Sequence, residues 1–200
     1  MHRVIAPAAA LLLIVGLAGV PAGEAGPLTD QFKVDLERVL RVIEESKIGV
    51  EAPRRFEAIR SAAEPVFDWR EMAGRALGVH WPARSEVERT DFVDLFRGLI
   101  QRSYITQLDR YNGEPVRFTG EKVEGDFGVV NTRLITRQGQ EVPLDYRLVN
   151  REGRWRVYDV LVEGVSLVGN FRTQFDKVIR ASSYDELVKR LKAKGSAPQT

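Results

Sequence analysis

The spacing of apolar residues changes twice along this chain, and these changes restrict the possible folds more than any other feature. Before the Asn112-Gly113 turn signal, apolar residues recur every three to four positions, as they do in amphipathic helices. After it they alternate at every second position, as in half-buried strands, until Gly164. The helical spacing then returns. Helices that are segregated from a run of strands predict an α+β fold.

The helices have recognisable start signals. Capping boxes, in which Ser or Asp is followed three residues later by Glu, begin at Asp68, Ser85 and Ser183. The longest predicted helix carries an apolar and aromatic stripe that includes Phe92, Phe96, Ile100 and Tyr104. We expect helices at residues 28–46, 53–66, 68–78, 85–111, 166–180 and 184–194.

The strands are joined by short turns, which require antiparallel neighbours. Strict alternation in the last strand places Tyr158, Val160 and Val162 on one face, opposite Trp155 and Val157. The sequence thus predicts a four-stranded antiparallel sheet, with strands at residues 116–118, 127–137, 142–148 and 154–162.

The N-terminus is typical of a secretory signal peptide. Arg3 precedes an uncharged apolar run at residues 4–20, and small residues suited to cleavage follow, so we expect residues 1–25 to be removed. The alternative is an uncleaved membrane anchor, but the run is at the short limit for spanning a bilayer. Residues 26–195 then suit one domain, with a frayed tail at 196–200, and the predicted location is the periplasm.

Composition excludes several classes of function. The chain has no cysteine, so disulfides, thiolate metal sites and a lipid anchor on an N-terminal cysteine are impossible. Its net charge is +2, which argues against a dedicated nucleic-acid binder. His80 is the only histidine left after cleavage, so a histidine metal cluster is ruled out. We therefore predict no metal and no cofactor.

Asp159 is the one candidate for acid–base chemistry. It lies inside a strand among apolar residues, where burial could raise the pKa of a general base. A nearby arginine or backbone donor could equally satisfy the carboxylate. We favour this second interpretation, because no histidine, metal site or nucleophile motif accompanies Asp159.

The segment at residues 158–168 is almost continuously apolar, so both faces of the last strand need cover. Helices can supply that cover, and so can a ligand. Together with the stripe of the longest helix, these residues could form a filled core or line a cavity. Periodicity is compatible with both.

Five blocks of sequence resemble one known family. The most specific are WRVYDV at residues 155–160, EGVSL at 163–167 and NFRTQF at 170–175. The others are VPLDYRL at 142–148, the aromatic helix at 92–111, and residues 67–81, which end in LGVHW. In this order and extent, they resemble the MlaC family of periplasmic phospholipid carriers, also called the toluene-tolerance family.

The resemblance implies a function that the residue patterns alone do not. The family has an NTF2-like α+β domain, is not enzymatic, and encloses the acyl chains of phospholipid in an apolar cavity. It shuttles the lipid between an outer-membrane lipoprotein complex and an inner-membrane ABC transporter with an MCE-domain subunit. We expect this chain to be a carrier of the same kind and to work as a monomer. Three alternatives stay open: a carrier of hopanoid-type lipid, an NTF2-like isomerase or dehydratase using Asp159, and a scaffolding protein with a solid core.

We expect the lipid to contact apolar residues of the long helix and of the last two strands. The predicted lipid-binding residues are Leu77, Trp81, Phe96, Ile100, Tyr104, Leu108, Tyr146, Leu148, Tyr158, Val160, Val162, Val165 and Leu167.

Overall fold

An antiparallel sheet forms the centre of the fold. The computed structural model describes residues 26–47, 50–108 and 111–195; the predicted signal at 1–25 and the tail at 196–200 lie outside these residues. The strands are β1 (Val116–Glu124), β2 (Phe127–Ile135), β3 (Glu141–Arg151), β4 (Arg154–Val162) and β5 (Val165–Ser166). They follow one another in chain order across the sheet, each antiparallel to the next.

The prediction of four strands was wrong by one. Glu163 and Gly164 both have positive φ, 50° and 80°, and this tight turn sends the chain back along β4. Val165 pairs with Val162, and Ser166 pairs with Leu161. The added strand has only two residues, too few for an alternating pattern to be visible in the sequence.

Helices precede and follow the sheet, as predicted. They are α1 (Pro27–Glu45), α2 (Ala52–Ala63), α3 (Trp69–Leu77), α4 (Glu86–Leu108), α5 (Leu167–Ala181) and α6 (Tyr184–Gly195), with 3-10 turns at Glu64–Val66 and Gly78–His80. Helix α4 ends before Tyr111, so the predicted end of the longest helix was too late. In the part of the chain that is described, no helix is both long and apolar enough to cross a membrane.

The apolar interior is divided into two clusters. The helical core joins α3, α4, α5 and α6 to two residues of the sheet, Val149 and Tyr158. The α1 core packs α1 and Ile59 of α2 against the sheet residues Val130, Tyr146, Leu148 and Val157.

A β-bulge explains why neighbouring residues of β4 belong to different cores. Arg147 pairs with Asp159, but the next residue, Leu148, pairs with Val157, so Tyr158 is the extra residue. Because of this bulge, the Tyr158 side chain packs in the helical core, while Val157 and Val160 both pack at the α1 core. The predicted strict alternation, which grouped Tyr158 with Val160, was therefore wrong.

Candidate functional site

A cavity of about 430 Å³ lies between α1 and the sheet. This volume is within the range of roughly 300–1,000 Å³ typical of ligand pockets. Its lining is apolar apart from Ser166, Asn170 and the hydroxyls of two tyrosines. The lining residues are Phe32, Leu36, Val39, Leu40, Ile43, Ala63, Val66, Phe67, Met72, Ile100, Tyr104, Leu144, Tyr146, Val157, Val160, Val162, Val165, Ser166, Leu167 and Asn170.

Helix α1 supplies one wall of the cavity. Four of its five lining residues are spaced three or four positions apart, and the fifth, Leu40, lies four after Leu36 and three before Ile43, so all five share one face of the helix. They are Phe32, Leu36, Val39, Leu40 and Ile43. The sequence showed this stripe but gave no sign that it faces a ligand, because a stripe that covers a filled core has the same spacing.

Strands β3 and β4 supply the opposite wall. Leu144 lies opposite Val162, and Tyr146 lies opposite Val160. All four residues line the cavity, and the bulge at Tyr158 adds Val157 to the same wall. Cross-strand pairing therefore builds a continuous apolar surface two strands wide.

The cavity is open at one end. Tyr104, Val162 and Val165 line it and are 40%, 47% and 64% exposed, whereas Met72 and Val157 line it with no exposure at all. The exposed residues lie at the end of α4 and at the β4–β5 turn. An elongated apolar molecule can thus be enclosed while a polar end stays in water.

Seven of the predicted lipid-binding residues line this cavity. They are Ile100, Tyr104, Tyr146, Val160, Val162, Val165 and Leu167. The side chain of Leu108 lies outside the described residues. Whether any of the predicted residues contacts lipid stays a prediction.

The other five predicted residues lie elsewhere. Leu77, Phe96 and Tyr158 are buried in the helical core, and Trp81 packs against it. Leu148 is 1% exposed within the α1 core and does not line the cavity. The bulge in β4 accounts for the position of Tyr158, and the path of α4 accounts for that of Phe96.

Helix α4 runs from the helical core to the cavity, so its stripe has two environments. Phe96 contacts Phe171 and Phe175 of α5 at ring-centroid distances of 5.5 and 5.9 Å. One and two turns later, Ile100 and Tyr104 reach the cavity. The apolar stripe of a helix does not show in the sequence where its surroundings change from a filled core to a cavity.

A second groove, of about 460 Å³, is charged. Trp81 lies there rather than in the apolar cavity, with the guanidinium carbons of Arg70 and Arg89 at 5.7 and 5.4 Å from its ring centroid. Arg151 in this groove is paired with Asp68 at 3.2 Å and Glu71 at 2.9 Å. Because its charges are already paired, this groove offers little to an apolar ligand.

Asp159 is buried, and its carboxylate accepts three hydrogen bonds. The donors are the Ser166 hydroxyl at 2.6 Å, the Val168 backbone N–H at 3.0 Å and the Arg147 guanidinium at 3.3 Å. Asp159 does not line the cavity. The interpretation that arginine and backbone donors satisfy this carboxylate is confirmed by these contacts.

Two tyrosines belong to the cavity lining, and the hydroxyls of both stay protonated at neutral pH. Burial raises the pKa of Tyr146 well above its usual range, and the nearby Asp145 carboxylate adds to this effect. Burial also raises the pKa of Tyr104. Both groups are therefore uncharged and can donate a hydrogen bond.

The sequence and the fold are similar to those of known proteins. The family model for the MlaC protein matches residues 35–193. The intermembrane phospholipid transport system binding protein MlaC of Haemophilus influenzae is 24% identical over 145 residues, which cover 70% of this chain and 68% of that protein. The toluene tolerance protein ttg2D of Pseudomonas putida is 24% identical over 132 residues, which cover 65% of this chain and 61% of that protein.

A solved structure has the same fold. The phospholipid-binding protein from Ralstonia solanacearum, in complex with a phospholipid, superposes with a TM-score of 0.74 at 23% sequence identity. The match covers 84% of this chain and 96% of that one.

Proposed function

This chain belongs to the MlaC family, and from that premise we propose that it is a periplasmic carrier that shuttles phospholipid between the outer and inner membranes. The acyl chains occupy the cavity between α1 and the sheet, and the head group stays in water at the open end. The observation that carries the proposal is this cavity, which is apolar in its depth and exposed only at its mouth.

The energetics of lipid transfer explain why such a cavity is needed. Each methylene group that leaves an apolar environment for water costs about 0.8 kcal/mol. Two acyl chains of roughly 16 carbons each would cost on the order of 25 kcal/mol to expose fully. A carrier removes this barrier by supplying apolar cover, and walls that are already formed reduce the entropy lost on binding.

The remaining parts of the proposal follow from family membership. We propose that residues 1–25 direct secretion and are cleaved, and that residues 26–195 work as one monomeric domain. The expected partners are an inner-membrane ABC transporter with an MCE-domain subunit and an outer-membrane lipoprotein complex. The Haemophilus and Ralstonia relatives, whose names refer to phospholipid transport and binding, support phospholipid as the cargo.

The arrangement around Asp159 favours the carrier over an NTF2-like enzyme. A general base needs a lone pair directed at the substrate. Both carboxylate oxygens of Asp159 already accept hydrogen bonds, and the residue lies off the cavity wall.

Mass spectrometry of an organic extract tests the cargo directly. The protein is purified from a native source without detergent, and its bound lipids are identified. Two-chain phospholipid at close to one molecule per protein is the expected result. A polycyclic hopanoid would replace phospholipid as the cargo, and an empty protein would contradict the carrier function.

A pair of glutamate variants tests the cavity. Val160→Glu places a charge on the cavity wall, where water can enter through the mouth, so we expect a folded protein that retains no lipid. Leu148→Glu on the neighbouring strand buries the charge in the part of the α1 core that does not line the cavity, so we expect it to unfold the protein. Circular dichroism and lipid extraction distinguish the two. If Val160→Glu also unfolds, Val160 is ordinary core.

A further inference from the structure

The hydroxyl of Tyr146 makes no hydrogen bond with the described residues; the residue is 9% exposed, and a water molecule can still reach the hydroxyl oxygen. Its ring lines the cavity and packs against Phe32 at a centroid distance of 4.5 Å. A hydroxyl that is removed from water without a partner is unfavourable, and buried tyrosines normally have one. A ligand that fills the cavity and displaces water from this hydroxyl is therefore expected to supply an acceptor for it.

The other polar side chains of the lining already make hydrogen bonds within the protein or are exposed to water. The Ser166 hydroxyl donates to Asp159 at 2.6 Å and accepts from the Gly169 N–H at 2.8 Å. The side-chain oxygen of Asn170 accepts from Gln174, and Tyr104 is 40% exposed at the mouth. Among the polar residues of the lining, Tyr146 thus offers a bound molecule a hydroxyl donor from a residue that is largely enclosed.

The depth of Tyr146 indicates which part of a lipid it meets. Exposure along β4 falls from 47% at Val162 in the mouth to zero at Val157 in the depth. Leu144 lies opposite Val162, and Tyr146, two residues further along β3, lies opposite Val160. Two residues of a strand span about 7 Å, so Tyr146 lies one step inside the mouth.

The ester linkages of a glycerophospholipid lie at this same boundary when its head group stays in water and its chains are enclosed. We propose that the Tyr146 hydroxyl donates a hydrogen bond to an ester carbonyl of the bound lipid and so selects ester-linked glycerolipids over lipids that lack this carbonyl. This inference rests on the carrier function proposed above. It identifies one side chain, Tyr146, as the group that recognises the chemical class of the cargo.

Competition between two lipids tests the assignment. Delipidated protein is incubated with equal amounts of diacyl and dialkyl phosphatidylglycerol of the same chain length, and native mass spectrometry counts the bound molecules. The ether-linked lipid lacks the carbonyl, so binding it leaves the Tyr146 hydroxyl buried without a partner. We expect the wild-type protein to prefer the diacyl lipid by about tenfold.

Two tyrosine variants identify the source of the preference. Tyr146→Phe removes only the hydroxyl, and we expect it to bind the two lipids almost equally. Tyr158→Phe is the matched control: this residue is 8% exposed on the neighbouring strand but belongs to the helical core, so the tenfold preference should persist. The assignment is overturned if the wild-type protein does not discriminate, or if Tyr146→Phe discriminates equally well. A wild-type protein that binds neither lipid would instead overturn the carrier function itself.

Discussion

The carboxylate of Asp159 connects three separate parts of the chain. It accepts hydrogen bonds from Arg147 on β3, from Ser166 on β5 and from the backbone N–H of Val168 in the first turn of α5. Negative charge at a helix N-terminus is favourable, because the first backbone N–H groups of the helix have no partner within it. Asp159 therefore fixes the start of α5 beside the mouth of the cavity, and its role is structural.

Asp159→Ala should destabilise the protein by about 2–3 kcal/mol, because it leaves buried donors on Ser166 and Val168 without an acceptor. Urea unfolding followed by circular dichroism measures the loss. Arg147→Ala is the control: this side chain is 42% exposed, so removing the ion pair should cost less than about 1 kcal/mol. Equal stability of wild type and Asp159→Ala would contradict the structural role.

Local signals in the sequence predict helix starts well, because both partners of a capping box lie within one turn. Ser85 and Glu88 make the reciprocal contacts expected, with the Ser85 N–H donating to the Glu88 carboxylate at 2.7 Å and the Glu88 N–H to the Ser85 hydroxyl at 3.3 Å. Asp68 likewise accepts from the Glu71 N–H at 2.9 Å. Such contacts depend on few residues that are close in the chain, so the sequence alone can indicate them.

Features set by distant contacts could not be predicted in this way. The β-bulge at Tyr158 is visible only in the pairing of β4 with β3. This bulge directs Tyr158 into the helical core and away from the cavity. Residues on α1 were missed for a related reason. The face that includes Phe32 and Ile43 is apolar whether it meets a filled core or a cavity, and only the position of the sheet decides which.

Polar contacts tie the N-terminal half of helix α1 to the sheet, among them an ion pair of Asp35 with Arg154 of β4 at 3.3 Å. The Thr29 N–H donates to the Glu121 carboxylate of β1 at 2.7 Å. The Gln31 side chain exchanges two hydrogen bonds with the backbone of Trp155 on β4, at 2.9 and 3.1 Å. Because α1 forms a complete wall of the cavity, these contacts position the wall against which a ligand packs.

Glu121→Ala should loosen α1, because it removes both the acceptor of the Thr29 N–H and a negative charge at the helix N-terminus. We expect a loss of about 1 kcal/mol, faster amide hydrogen exchange in α1 and faster release of bound lipid. Glu124→Ala on the same strand is the control, since among the described residues the one ion pair of Glu124 is an exposed contact with Lys122 at 3.8 Å. Unchanged exchange in α1 would show that the other contacts are sufficient to hold the helix.

The two cores differ in how completely they are packed. Interlocking aromatic rings fill the helical core: Phe92 and Phe96 of α4 each lie 5.9 Å from Phe175 of α5, with edge-to-face geometry. The α1 core instead contains a cavity of about 430 Å³. Apolar walls that face an empty space lose the contacts that close packing would give them. A bound acyl chain would restore those contacts and would then act as part of the second core.

Removal of the cargo should therefore lower the thermal stability of the whole protein. A ligand present at 100 times its dissociation constant stabilises the folded state by about 2.7 kcal/mol, which corresponds to a rise in Tm of roughly 5–10 °C for a domain of this size. Differential scanning calorimetry of delipidated protein with and without added diacyl phospholipid measures this difference. Val160→Glu supplies the control, because its charged cavity should bind no lipid and its Tm should not respond to the addition. If the wild-type protein shows the same Tm in both conditions, the cavity does not take up lipid, and the apolar face of α1 then serves only to cover the sheet.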